Sequence, residues 1–66
     1  MTEKELELYN AIEKFIKEKG YSPTIRELCK IVNNNSSATV FTKLRKIKNK
    51  GYIIFDEKKS RTIRVI

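Results

Sequence analysis

The stretch from Asn34 to Gly51, NNSSATVFTKLRKIKNKG, decides how the chain is read. Val40, Leu44 and Ile47 recur at i, i+4 and i+7, the spacing that lines up one apolar stripe on a helix. Ser36 or Ser37 can accept a hydrogen bond from the first free backbone N–H groups, so either suits the N-cap. Gly51 tolerates the left-handed conformation that ends many helices. At ~100° of turn per residue, Ala38, Thr42, Arg45 and Asn49 lie opposite the stripe, with Thr39, Phe41 and Lys46 beside them. One side packs inward. The other offers small, polar and cationic groups and one aromatic ring, which suits either a solvated surface or a binding surface.

Before this helix, Asn33-Asn34-Asn35 supplies residues that tolerate positive φ, so a tight turn is expected there. A shorter helix precedes the turn, from about Ile25 to Val32, with Ile25, Leu28, Cys29 and Val32 facing inward. Thr24 and Glu27 have the Thr-x-x-Glu spacing of a capping box, in which each side chain satisfies the other's backbone N–H. Tyr21-Ser22-Pro23 is extended, because a residue before proline avoids helical geometry. Further upstream, Thr2 to Lys19 reads as the first helix, opened by the same box at Thr2 and Glu5 and ended by Gly20. Its stripe is Leu8, Ile12, Phe15 and Ile16, with Leu6 and Tyr9 alongside. Two helices joined by a short turn, the second basic on its outer face, describe a helix-turn-helix.

Beyond Gly51, Tyr52-Ile53-Ile54-Phe55 is rich in β-formers and Arg61 to Ile66 alternates, so a β-hairpin is expected. Ile63 and Val65 share its inner face and Arg64 takes the outer one. Its loop contains no glycine or proline, and no turn type is assigned to it. Lys58, Lys59 and Arg61 gather at or near the tip. They either keep an edge strand soluble or form a basic wing against a phosphate backbone.

Composition narrows the function. Sixty-six residues form one domain at most, expected to span residues 1–66. The net charge is +7, and all of it lies after residue 36: residues 1–36 carry six basic and six acidic side chains, residues 37–66 nine and two. The dense phosphate charge of nucleic acid is the partner such an asymmetry favours. Five of the eight acidic residues lie in the first helix, which is expected to face away from that partner. There is no apolar run long enough for a membrane span and no helix pairing a basic face with a broad apolar one, so no membrane partner is expected. A single cysteine, Cys29, excludes an internal disulfide, suits a reducing cytoplasm, and reads as a small core residue. With no histidine, no metal-ligand spacing and no phosphate loop, neither catalysis, a cofactor, a metal nor a small-molecule substrate is expected.

The segments YSPTIREL, NSSATVFTKLRKIKNKGYI and SRTIRVI, with the spacing between them, resemble the N-terminal DNA-binding domain of LexA, the SOS-response repressor family. The likeness implies a mainly α fold with a small β-hairpin, a three-helix winged helix-turn-helix, and double-stranded DNA as the partner. It implies that the third helix enters the major groove and that Ser37, Ala38, Thr39, Phe41 and Thr42 reach base edges. Arg45 and Lys46 lie further along that side, and with Lys58, Lys59 and Arg61 they are expected on the backbone. Asn33 stands where that family usually has glycine and Asn34 where it has an apolar residue. Phe41 replaces a polar residue, so the family's target sequence does not carry over. The family continues into a domain that dimerises and cleaves itself with a Ser/Lys pair, and these 66 residues read equally as a standalone domain, a small regulator or a fragment; in isolation they are expected to be a monomer that can pair on a palindromic site.

Transcriptional regulation is therefore the expected role. A winged-helix protein-interaction module is the alternative, since a fold does not fix a function. Such a module calls for an apolar, weakly charged outer face on the third helix. Only Phe41 fits that description.

Overall fold

Thr2, Thr24 and Ser36 each start a helix. In this computed structural model, which describes residues Met1 to Ile66, α1 runs over Glu3–Lys19, α2 over Ile25–Ile31 and α3 over Ser37–Asn49. Both expected capping boxes are present: Glu5 N donates to Thr2 Oγ1 at 3.2 Å, Glu27 N donates to Thr24 Oγ1 at 3.1 Å, and each glutamate accepts from the threonine's own N–H. At α3 the choice falls on Ser36, whose hydroxyl accepts from Thr39 N at 3.3 Å. With seven residues, α2 is far too short to hold a helical conformation alone. Its fully buried Leu28, packed between the other two helices, holds it there.

The core takes one stripe from each element: Leu8 and Ile12 from α1, Leu28 from α2, Val40, Leu44 and Ile47 from α3, and Ile53 and Ile63 from the hairpin. Cys29 is half-buried against this cluster, as a small core residue. In α1 the stripe narrows toward its end, where Phe15 and Ile16 are only partly covered, and Leu6 is 46% exposed. Asn33 makes the turn into α3 with φ at 55°, the left-handed conformation that asparagine reaches more readily than most residues. Asn34 N then donates to Cys29 O at 2.9 Å, and Asn34 Oδ1 accepts from Ser36 N at 2.9 Å, so the side chain carries the chain into the next cap.

The end of α3 sets where the hairpin starts. Gly51, at φ 86°, lets Gly51 N donate to Lys48 O and Tyr52 N donate to Ile47 O, the paired bonds of a Schellman motif. β1 (Ile53–Ile54) and β2 (Arg64–Val65) then pair antiparallel, Ile53 opposite Val65 and Ile54 opposite Arg64. Ile63 and Val65 turn inward and Arg64 outward, as the alternation requires. The strands are shorter than the expected Tyr52–Phe55 and Arg61–Ile66, because side chains take backbone groups that a longer ladder would use. Lys48 Nζ donates to Phe55 O at 3.1 Å, Asp56 N donates to Thr62 Oγ1 at 2.9 Å, and Ile63 N donates to Ser22 Oγ at 2.9 Å. The result is a winged helix-turn-helix.

Candidate nucleic-acid interface

The first turn of α3 has no acidic residue, whereas that of α1 carries Glu3 and Glu5 and that of α2 carries Glu27. The positive end of its peptide dipoles is therefore left uncompensated at the surface. Ser37, Ala38, Thr39, Thr42, Arg45 and Lys46 are all exposed on the outward side of α3, because the inward side is occupied by Val40, Leu44 and Ile47. Ser37, Ala38, Phe41, Thr42 and Arg45 border one shallow depression, with Ile25 at its edge. Thr39 and Lys46, seven residues apart, share the other flank of the helix. The Thr42 hydroxyl donates to Ala38 O at 2.9 Å. That bond fixes the hydroxyl hydrogen and leaves the oxygen lone pairs and the methyl group facing out.

Phe41 is neither core nor free. It is half-buried, with one edge in the depression and its ring packed edge-to-face on Phe55, centroids 6.1 Å apart and planes at 75°. The Arg45 guanidinium lies 6.0 Å from the Phe41 ring centroid, and its Nε meets Glu57 Oε1 of the hairpin loop at 3.2 Å. The root of the hairpin is thus joined to α3 by an aromatic pair, an ion pair and Lys48, whose ammonium sits 4.8 Å from the Phe55 ring centroid. Phe55, Lys48 and Glu57 carry no spacing signal in the sequence, since their partners are seven or more positions away.

The wing loop folds on itself without glycine. Lys58 N donates to Asp56 Oδ1 at 2.9 Å, Lys59 N donates to Asp56 O at 3.2 Å, and the Thr62 hydroxyl donates to Asp56 O at 3.2 Å. Lys58 and Lys59 are exposed there, on the rim of a cleft of about 350 Å³ between the wing and α2, across from Arg26.

Arg61 behaves differently from its neighbours. Its guanidinium folds back from the tip onto the start of α2: Nη1 donates to Ser22 O at 3.1 Å and meets Glu27 Oε1 at 3.0 Å, and Nη2 donates to Glu27 Oε2 at 3.3 Å. The same group lies 4.9 Å from the Tyr21 ring centroid. Glu27 consequently titrates below the usual carboxylate range, first because the Thr24 backbone N–H bonds to it and then because Arg61 does. The structure sets two of the α3 residues beside the wing lysines, Phe41 sharing a cleft with Lys58 and Lys59 and Arg45 a second one with Lys58; it gives the Arg61 charge a partner within the protein.

No helix is long and apolar enough to cross a membrane. The family profile described as LexA DNA binding domain matches residues 1–62. A LexA repressor of Clostridium kluyveri is 47% identical over 60 residues, which is 91% of this chain and 30% of that protein. A LexA repressor of Clostridium botulinum is 41% identical over 64 residues, 97% of this chain and 32% of that protein. The chain spans about a third of the length of these curated relatives.

Proposed function

The chain belongs to the LexA DNA-binding domain family, whose partner is double-stranded DNA, and from that premise we propose that residues 1–66 act as one sequence-reading unit of transcriptional repression. In this reading α3 lies in the major groove. Ser37, Ala38, Thr39, Phe41 and Thr42 meet base edges, while Arg45, Lys46, Lys58 and Lys59 meet the backbone. The observation that carries the reading is the outward side of α3, free of acidic residues through its first turn and set beside the wing lysines. A protein-interaction module is disfavoured by the same surface, which exposes Arg45, Lys46, Lys58 and Lys59 and only part of Phe41.

No catalytic step, cofactor or small molecule enters this reading, and a chromosomal target places the action in the cytoplasm. The isolated unit engages one half-site as a monomer, and two units gain affinity when they are held together on a palindrome. Salt dependence tests the proposal. With about four to six phosphates contacted, the log–log slope of affinity against salt is expected to be roughly −4 to −5. A slope near zero by fluorescence anisotropy defeats it.

A further inference from the structure

We propose that Arg61 is a positioning residue: it fixes the wing to the helix-turn-helix through Glu27, so that Lys58 and Lys59 reach the DNA backbone at a set angle. The inference rests on the DNA-binding reading above and assigns Arg61 to the protein's own framework rather than to a phosphate. Two independent observations support it. The first is the bond set already described: both terminal nitrogens of Arg61 meet the Glu27 carboxylate, one also meets Ser22 O, and the guanidinium lies against Tyr21. The forked, planar guanidinium is matched to a carboxylate in that geometry, and lysine could not reproduce it.

The second is the backbone. Arg61 has φ at 55°, a conformation that a long side chain rarely adopts and that glycine or asparagine takes at less cost. An unfavourable backbone at an arginine persists where its side chain is needed. The neighbouring bonds locate the need. Ile63 N donates to Ser22 Oγ, and Ser22 is buried just before the N-cap of α2. Glu27 Oε1 accepts from both Thr24 N and Arg61. One carboxylate therefore serves the cap of α2 and the root of the wing together.

The sign of one substitution separates the two roles. Glu27→Gln keeps the capping-box oxygen but removes the charge that holds Arg61. If Arg61 were a phosphate contact, this change would release a cation toward DNA and strengthen binding. As a positioning residue it is expected to weaken binding, on the order of threefold to tenfold at low salt. Arg61→Asn, which tolerates the same backbone, is expected to weaken binding equally and to add nothing in a Lys58→Ala/Lys59→Ala background. Stronger binding by Glu27→Gln, or an additive loss in that background with a further drop in salt slope, overturns the proposal. A DNA-independent measurement completes the test. In the free protein, Arg61→Asn is expected to lower the ¹⁵N order parameters of Glu57 to Ser60, and unchanged values overturn the proposal whether or not DNA binding is observed.

Discussion

Glu5 and Lys50 are 45 residues apart in sequence and joined by a 2.8 Å ion pair between Oε1 and Nζ. The pair ties the opening turn of α1 to the C-cap of α3, at the opposite end of α3 from the turn that follows α2. Glu5 is almost fully covered, and its carboxylate also accepts from Thr2 N at 2.9 Å. The Lys50 hydrogen bond, then the Thr2 backbone bond, bring its pKa down to about 2.

That shift sets the direction of acid stability. A carboxylate whose pKa is lowered by folding stabilises the folded state above its unfolded pKa of about 4.5, and the contribution fades as pH falls toward about 2. Glu27, also lowered, acts in the same sense. Urea denaturation at several pH values should show stability falling through this window in the parent chain. Glu5→Gln retains a capping oxygen but should be less stable at neutral pH and flatter below pH ~4. A parallel pH profile for the two proteins would mean that the Glu5–Lys50 pair is not the source.

Phe41→Ala should cost about 1–3 kcal/mol. A fully buried phenylalanine loses about 3–5 kcal/mol on truncation, and this ring is only half-buried, packed edge-to-face on Phe55. For a domain of this size that corresponds to a melting-temperature drop of roughly 5–20 °C. If the free edge meets a thymine methyl, discrimination at one base pair should fall more than overall affinity. An unchanged melting temperature would mean that the Phe55 contact carries nothing.

Asn33→Ala should destabilise the chain by about 1 kcal/mol, the cost of holding a side chain with no compensating local hydrogen bond at φ 55°. Asn33→Gly should be neutral or slightly stabilising by thermal melting. A stabilising alanine would show that the turn does not need the left-handed conformation.

The contrast between these positions shows what the sequence carried. Helix limits, both capping boxes, the Val40–Leu44–Ile47 stripe and the turn at Asn33 depend on residues within about one helical turn of each other, so spacing revealed them. The pairs Glu5–Lys50 and Glu27–Arg61 join residues 45 and 34 positions apart, and no local pattern marks them. The wing turn was hidden for a related reason: its left-handed residue is an arginine, and its hydrogen bonds run through Asp56 and Thr62 rather than through a glycine. Phe41 was open to two readings because helical position gives an angle and not a partner. Phe55 lies fourteen residues on, in the segment leaving β1.

Lys58→Ala with Lys59→Ala should weaken binding by a similar factor for every duplex tested, since phosphate contacts position a protein and carry no sequence information. The salt slope should shrink by roughly 1–2. Loss confined to one sequence would place a lysine on a base edge, and unchanged affinity would leave both as solubility charges.

The reading of DNA sequence by the outward side of α3 is tested most directly by selecting bound duplexes from a random pool with the 66-residue protein. An enriched motif is expected, with its most constrained base pairs spanning the few that one helix can reach in the major groove. Recovery of bound duplexes with no enriched motif would contradict that role for Ser37, Ala38, Thr39, Phe41 and Thr42.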